Sequence, residues 1–399
     1  MFTLLRGGHV FDPEDRGRMD LLVCQEAIVA MAPTIDATSL PAPVVVVDAS
    51  AHRVAPGFVD CHIHLIGGGG AEGFETRLPE LWLSDFARAG ITTAVGAPGV
   101  DTASKRAETL LAKAYALERE GLSTYVYAGG FVRPWASVTS SVIGDLYAIP
   151  KVVGVKVALG EHRASRYRDD ELIELAAELH WARGLTGKAC VFHAHLGLRR
   201  APAGQLVAVI EQSELPPGSF VATHVNYGPE TLAAAPGLAR LGAWIDVTSV
   251  LGPWSAAPES ISASAAVRRF LDEGVSLDRI SISSDANASV PQRDAEGRRL
   301  PYWTKIDTLP GAVRDLVQKE GLRLPDALRL VTRHPARALG LEARKGALAP
   351  GMDADIVLLD DDLRVRRVYA RGRCLLADGE PVSRSLFEEK VQHLDSDSR

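Results

Sequence analysis

The 399-residue sequence has few cysteines, no long apolar run and no excess of positive charge. Its four cysteines, Cys24, Cys61, Cys190 and Cys374, include no Cys-x-x-Cys pair, so we expect free thiols rather than a disulfide framework. No apolar run is long enough to cross a bilayer, and the net charge of −6 argues against a nucleic-acid-binding surface. The first residues lack a signal peptide's charged and apolar regions. We therefore expect a cytoplasmic protein that binds a small molecule, with neither a membrane nor a nucleic acid as partner.

The pattern of apolar and polar residues changes along the chain. Residues 1–53 and 341–399 consist of short strand-like runs and turns. Residues 54–340 instead alternate short apolar runs with helical patterns, which is typical of βα units and a parallel sheet. We predict an α/β fold, with a (β/α)₈ TIM-like barrel over residues 54–340. A small β-sandwich domain is predicted from both termini, residues 1–53 and 341–399.

Eight apolar runs in the central region support the barrel prediction. They are Val54–Asp60, Thr92–Val95, Ser123–Ala128, Gly154–Val157, Ala189–Phe192, Phe220–Ala222, Ala243–Val247 and Ile280–Ser283. Helix-like stretches, with apolar residues at three- and four-residue steps, lie between them. In such a barrel the catalytic residues sit at the carboxyl ends of the strands, so polar residues at these ends are the candidates for a site.

Metal-ligating side chains occur at the ends of several of these runs. His62 and His64 follow the first run, and residues i and i+2 of a strand point to the same face. The other candidates at run ends are His193, His224 and Asp285. Because strand ends converge at one mouth of a barrel, four histidines and a carboxylate predict a site for Zn²⁺ or a similar divalent ion.

Lys156 lies inside the fourth run, between two valines. A buried ammonium beside metal cations would be unfavourable, and burial lowers the pKa of a lysine. A neutral amine can capture CO₂ as a carbamate, an anionic ligand able to bridge two metal ions. We therefore predict that Lys156 is N-carboxylated. The alternative is a lysine whose ammonium reaches solvent.

This constellation resembles that of the amidohydrolase superfamily, and more closely that of the isoaspartyl dipeptidases, zinc enzymes that cleave β-aspartyl dipeptides. The resemblance covers nearly the whole length. The motifs that carry it include His64-Leu65-Ile66-Gly67-Gly68-Gly69-Gly70, Gly154-Val155-Lys156, His162-Arg163, Thr223-His224-Val225-Asn226 and Ser283-Ser284-Asp285.

The resemblance implies two divalent metal ions, a hydrolytic mechanism and a homo-oligomer. The ligands it implies are His62, His64 and Asp285 for the first ion, His193 and His224 for the second, and carboxylated Lys156 between them. A metal-bridging hydroxide would attack the amide carbonyl. Asp285 would take its proton and deliver it to the leaving amine.

The predicted substrate pocket departs from the family pattern. The family's glutamate after the four glycines aligns with Ala71, and Glu72 follows one position later. Its tyrosine that polarises the scissile carbonyl aligns with Phe131, and its second carboxylate-binding arginine aligns with Tyr227. Losing one charge-assisted contact costs about 2–5 kcal/mol in binding. A standard β-aspartyl dipeptide is therefore expected to bind poorly.

Arg163 and Ser289 still match family residues that contact the substrate, and Arg163 offers a bidentate site for one carboxylate. Tyr227 is a candidate to supply the missing phenol from the opposite wall. We expect a small amino-acid-derived amide that is less zwitterionic, or more apolar on one side. One alternative is a hydrolase of cyclic amides or N-acyl amino acids with the same ligand set. An alternative of another class is a non-catalytic scaffold barrel.

Overall fold

An eight-stranded parallel sheet and a nine-stranded mixed sheet form the framework of this chain in a computed structural model. The structure describes residues 2–199, 201–252, 259–288, 292–293, 296, 298–300 and 303–388. In chain order its strands are β1 (Phe2–Phe11), β2 (Asp15–Cys24), β3 (Ala27–Ala32), β4 (Val44–Asp48), β5 (Arg53–Pro56), β6 (Phe58–Ile63), β7 (Ile91–Gly96), β8 (Ser123–Gly130), β9 (Val152–Leu159), β10 (Val191–Leu196), β11 (Phe220–Thr223), β12 (Trp244–Thr248), β13 (Ile280–Ser283), β14 (Gln292–Arg293), β15 (Arg299–Leu300), β16 (Ile356–Leu359), β17 (Val365–Ala370), β18 (Arg373–Ala377) and β19 (Glu380–Pro381).

The helices lie mainly between the barrel strands. They are α1 (Leu83–Ala89), α2 (Ala107–Arg119), α3 (Val142–Ala148), α4 (Asp169–Thr186), α5 (Pro202–Gln212), α6 (Pro229–Leu241), α7 (Ala263–Asp272), α8 (Thr308–Gln318), α9 (Leu324–Val331) and α10 (Arg333–Ala338). Apolar residues at helical spacing face the strands, as Leu110, Ala114 and Leu117 do in α2. Among the described residues, no helix combines the length and apolar character needed to cross a bilayer.

The parallel sheet consists of β6 to β13, and each strand pairs with the next one along the chain. Its first and last strands meet through a parallel bridge between Ile63 and Ala286. The amide of Asp285 donates to the carbonyl of His62 at 2.9 Å, and the amide of His64 donates to the carbonyl of Ala286 at 3.0 Å. The predicted barrel is confirmed, and its closing seam carries three of the candidate ligands.

The second sheet joins the two ends of the chain, in the order β19-β18-β17-β16-β5-β1-β2-β3 with β4 on β1. The N- and C-terminal parts meet where β5 pairs antiparallel with β16. The small β domain built from both termini is therefore confirmed. The boundaries near residues 53 and 340 remain predictions.

The amino end of the barrel is closed by an apolar cluster. Val59, Val95, Val191 and Val221 pack there with the residues around α10, such as Leu339. Because this end is filled, the cavity available for chemistry lies at the opposite end, where the strands terminate.

Candidate active site

The six predicted ligands lie at the carboxyl end of the barrel, and nearly all are buried. Nδ1 of His62 is 2.8 Å from Nε2 of His193. Oδ1 of Asp285 is 3.3 Å from Nε2 of His64 and 3.5 Å from Nε2 of His62. One ligand atom each from His62, His224 and Asp285 lies within 4.8 Å of the other two. The structure thus brings together side chains that are more than 200 residues apart in sequence.

Two of these residues adopt a backbone conformation that L-residues seldom use. His224 follows β11 with φ 66°, and Asp285 follows β13 with φ 52°. Such left-handed conformations cost of order 1–3 kcal/mol for non-glycine residues and occur preferentially at functional sites. The strain indicates that these two side chains are positioned for a function and not for stability.

Hydrogen bonds fix the orientation of the imidazoles. The carbonyl of Ala97 lies 3.0 Å from Nδ1 of His64, so this nitrogen carries the proton and Nε2 is left for Asp285 or a metal. Nδ1 of His224 is 2.7 Å from Oγ1 of Thr248, and when Nδ1 donates in this bond, Nε2 of His224 is likewise left for a metal. Partners of this kind orient metal-ligating histidines in proteins.

The histidine nitrogens meet the requirements of a divalent cation. Nε2 of His62, Nδ1 of His193 and Nε2 of His224 are buried and find no hydrogen-bond partner within the described part of the chain. Burial lowers the pKa of all three imidazoles well below the usual value, which keeps them neutral with a lone pair available. Buried nitrogens without partners are costly, so a bound metal is the fitting complement.

Lys156 is 1% exposed in the middle of β9. Its Nζ donates to the carbonyl of Pro98 at 2.9 Å and lies 4.8 Å from the ring centroid of Phe131. Burial lowers the pKa of Lys156 to about 8. The alternative in which its ammonium reaches solvent does not fit this burial, and the neutral amine needed for carbamate formation is accessible near neutral pH.

Three of the predicted substrate residues, Phe131, Arg163 and Tyr227, lie around the same mouth. Phe131 is buried, with its ring 5.7 Å from the guanidinium carbon of Arg163. Tyr227 is partly buried, its ring centroid is 6.4 Å from that of His224, and burial raises its pKa. Glu72 is half-buried in the turn after the four glycines. Ser289 lies outside the described residues.

Arg163 is held by Glu161. Oε1 of Glu161 accepts from Nε of Arg163 at 3.0 Å. Burial alone would raise the pKa of Glu161, but its interactions with His195 and Arg163 bring it well below the usual range. The carboxylate therefore stays charged and orients the guanidinium toward the mouth.

Two further residues belong to the site, and sequence reasoning missed one of them, Asp246. His195, two positions after His193 on β10, is buried with its ring 5.2 Å from that of Phe131 and 4.4 Å from that of His224. Asp246 is fully buried on β12, beneath the ligands. Its sequence signal was a carboxylate inside an apolar strand, where an unpaired charge would be unfavourable.

Comparison with known proteins agrees with this geometry. The family described as the Amidohydrolase family matches residues 255–382. The chain is 31% identical to β-aspartyl dipeptidase from Fervidobacterium islandicum AW-1, solved in complex with the β-Asp-Leu dipeptide; the TM-score is 0.87, over 96% of this chain and 97% of that one. Imidazolonepropionase of Aeromonas hydrophila subsp. hydrophila is 27% identical over 371 residues, which cover 87% of this chain and 85% of that protein.

A more distant structure shares the fold alone. Dihydropyrimidinase from Brevibacillus agri NCHU1002 is 16% identical, with a TM-score of 0.71 over 96% of this chain and 97% of that one. The likeness to the dipeptidase, in contrast, combines 31% identity with nearly complete coverage of both chains. The chain therefore belongs to the amidohydrolase superfamily.

Proposed function

We propose that this protein is a binuclear metal-dependent hydrolase that cleaves an amide bond in a small amino-acid-derived substrate. In this proposal it is related to β-aspartyl dipeptidases but recognises its substrate differently. The observation that carries the proposal is a set of buried imidazole nitrogens that have no hydrogen-bond partner among the described residues, grouped around Asp285 at the barrel mouth. A purely structural role would leave these nitrogens uncompensated.

The proposed ligand set follows the strand ends. It comprises His62, His64 and Asp285 for one ion, His193 and His224 for the other, and N-carboxylated Lys156 between the two. Zn²⁺ is the ion that this nitrogen and oxygen set suits best. When bound, such ions supply Lewis-acid charge that lowers the pKa of water and polarises a carbonyl oxygen.

Asp285 is the proposed proton carrier. Burial alone would raise the pKa of Asp285, but its electrostatic interaction with His224 and its hydrogen bond with His64 bring this pKa well below the usual range. Asp285 is therefore a carboxylate at neutral pH, partly exposed at the mouth. In this state it can accept a proton from the attacking water and return it to the leaving amine.

The proposed pocket has one cationic and one apolar side. Arg163 uses Nε for Glu161, so its terminal nitrogens remain to grip a substrate carboxylate. Phe131 presents an aromatic ring where a phenol would offer a donor, and Tyr227 is proposed to supply that donor from the opposite wall. Glu72 and Ser289 are proposed as further substrate contacts.

A hydrolase of cyclic amides is the second candidate. It is favoured by the imidazolonepropionase relatives, which match most of this chain. The same ligands serve both candidates, and the difference lies in whether Arg163 binds a free carboxylate next to an open-chain amide. We further propose a cytoplasmic homo-oligomer. Size-exclusion chromatography with light scattering tests the oligomeric state.

The first experiment combines metal analysis with a substrate panel. Protein purified without chelators is expected to retain more than one divalent ion per chain, measured by elemental mass spectrometry. β-Asp-Leu, N-acyl amino acids and dihydroorotate are then assayed side by side, and turnover of one open-chain amide is expected. Less than one bound ion per chain would falsify the proposed function.

The second experiment tests the role of Tyr227. Tyr227→Phe removes only the hydroxyl and is expected to lower kcat on the best substrate of the panel on the order of 10²-fold, as the loss of one transition-state donor does. Tyr147→Phe is the matched control, because Tyr147 lies on the barrel exterior in α3 and is 66% exposed. Equal turnover of the two variants would remove Tyr227 from the mechanism.

A further inference from the structure

The loop between β7 and α2, residues 97–106, contacts two members of the site through its backbone. The carbonyl of Ala97 faces Nδ1 of His64 at 3.0 Å, and the carbonyl of Pro98 accepts from Nζ of Lys156 at 2.9 Å. A displacement of this loop would therefore release the orientation of both His64 and Lys156. What anchors the loop consequently matters for the whole site.

Lys105, near the end of this loop, reaches across to a second loop beside the site. Its Nζ donates to the carbonyl of Gly67 at 2.9 Å, to that of Leu78 at 2.6 Å, and also to that of Ile66. An ammonium has three donors, and all three are used here on main-chain oxygens. Lys105 thus occupies a cradle of three carbonyls that converge on one cation.

The segment that Lys105 grips follows the His62–His64 pair directly. We name residues 65–70 the glycine loop. Gly67 has φ 75°, and a Cβ at this position would lie 2.3 Å from the carbonyl oxygen of Leu78 and 2.5 Å from that of Pro79. Because no side chain fits between these segments, hydrogen bonds to the backbone must hold the glycine loop in place.

The glycine loop and the loop after β7 touch next to His64. A Cβ built on Gly99 would lie 3.5 Å from Cα of Gly68 and 3.7 Å from Nδ1 of His64. The amide of Gly67 donates to the carbonyl of His64 at 3.0 Å. His64 is therefore held from both sides, and Lys105 bridges the two sides.

We propose that Lys105 is a positioning residue of the active site, which locks the glycine loop against the loop after β7 and so keeps His64 and Lys156 aimed at the metals. The inference rests on the proposed function. Lys105 donates to main-chain carbonyls, so it acts on the site through the backbone.

Lys188 provides a matched control within the same chain. Its Nζ donates to the carbonyls of Leu146, Ile149 and Val152 at 2.6, 2.7 and 3.1 Å. This second cradle of three carbonyls lies at the start of β9, at the opposite end of the strand from the site. Replacing either lysine by methionine keeps the aliphatic stem and removes the same kind of interaction.

The test compares Lys105→Met with Lys188→Met by amide hydrogen exchange, metal content and kinetics. In Lys105→Met, peptides covering residues 64–81 are expected to exchange about ten-fold faster, since charge-assisted hydrogen bonds are lost. Metal affinity is expected to fall about 10–100-fold, as it does when the support of a ligand is removed. Lys188→Met is expected to leave exchange over residues 64–81 and metal affinity unchanged.

Wild-type exchange over residues 64–81 together with wild-type metal affinity in folded Lys105→Met would overturn the positioning role. If that variant does not fold, the same measurements are made on Lys105→Gln, which retains a hydrogen-bond donor. Exchange is read without substrate. A chain that hydrolyses no amide therefore contradicts the proposed function while the exchange data still decide the role of Lys105.

Discussion

Replacing Asp246 by asparagine tests whether a buried carboxylate supports the floor of the site. Asp246 accepts from Oγ1 of Thr223 and Oγ of Ser281, both at 2.7 Å, and from Oγ of Ser283 at 2.5 Å. The thiol of Cys61 lies 3.5 Å from Oδ1 of Asp246. Thr223 directly precedes the ligand His224, and Ser283 lies two positions before Asp285. The carboxylate therefore ties together the strand ends that carry two ligands.

The expected magnitude follows from the distribution of these bonds. Oδ1 of Asp246 receives Cys61 and Ser281, whereas Oδ2 receives Thr223 and Ser283. An amide nitrogen in place of either oxygen loses two donors at once. Hydrogen bonds to a charged group contribute about 1.5–3 kcal/mol each, and rotation of a hydroxyl recovers part of this. We expect Asp246→Asn to lower the free energy of unfolding by about 2–3 kcal/mol.

Urea unfolding of the metal-free protein measures this change without a contribution from metal binding. Ser281→Ala is the control, because it removes one donor and leaves the carboxylate with the others, at a cost of about 1 kcal/mol. Burial raises the pKa of Asp246. If the group were protonated at neutral pH, an amide would replace it almost without cost, so a change below about 0.5 kcal/mol would refute the reasoning.

Three further predictions concern the metal bridge, the domain junction and acid stability. Lys156→Ala is expected to lose activity and bound metal, with partial rescue by short-chain acids that take the place of the carbamate; unchanged metal content would exclude the bridging role. In the wild type, Nζ of Lys345 lies 2.7 Å from Oδ2 of Asp355. Lys345→Met leaves this buried carboxylate without the ammonium, and urea unfolding should show that the free energy of unfolding falls by about 3–5 kcal/mol. Although burial alone would raise it, the hydrogen bond from Arg329 lowers the pKa of Glu14 from 4.5 to about 2. Glu14 thus adds stability above pH 4.5 that is lost as the pH falls toward 2. Glu14→Gln should reduce the loss of unfolding free energy in this range by about 1 kcal/mol, a small value because the group is partly exposed, and the fall of Tm with pH should be flatter.

The ligand positions could be predicted because parallel strands bring their carboxyl ends to one place. Each of the eight apolar runs overlaps a barrel strand, so a polar residue at the end of a run had to lie at the mouth. This argument needs only the period of the pattern and the handedness of βα units. It does not need the exact strand limits, which differ from the runs by a few residues.

Features that depend on irregular backbone could not be predicted in the same way. The pairing of β6 with β7 shifts register between Asp60 and Ile63. As a result Cys61 reaches Asp246 while the neighbouring His62 reaches His193, whereas strict alternation would direct the two side chains to opposite faces. A period-2 pattern has no signal for such a shift.

Phe131 is a third case. The sequence showed a phenylalanine where the family has a tyrosine, and the structure shows which groups surround it. Phe131 has Nζ of Lys156 4.8 Å from its ring centroid and the guanidinium carbon of Arg163 at 5.7 Å. The contact with Arg163 is itself favourable, because the π-system attracts positive charge. Phe131 therefore does more than omit a hydroxyl: its ring lies against the arginine that is proposed to hold the substrate carboxylate. A substrate that lies against this ring must present an apolar surface there, which agrees with the expectation of a substrate that is more apolar on one side.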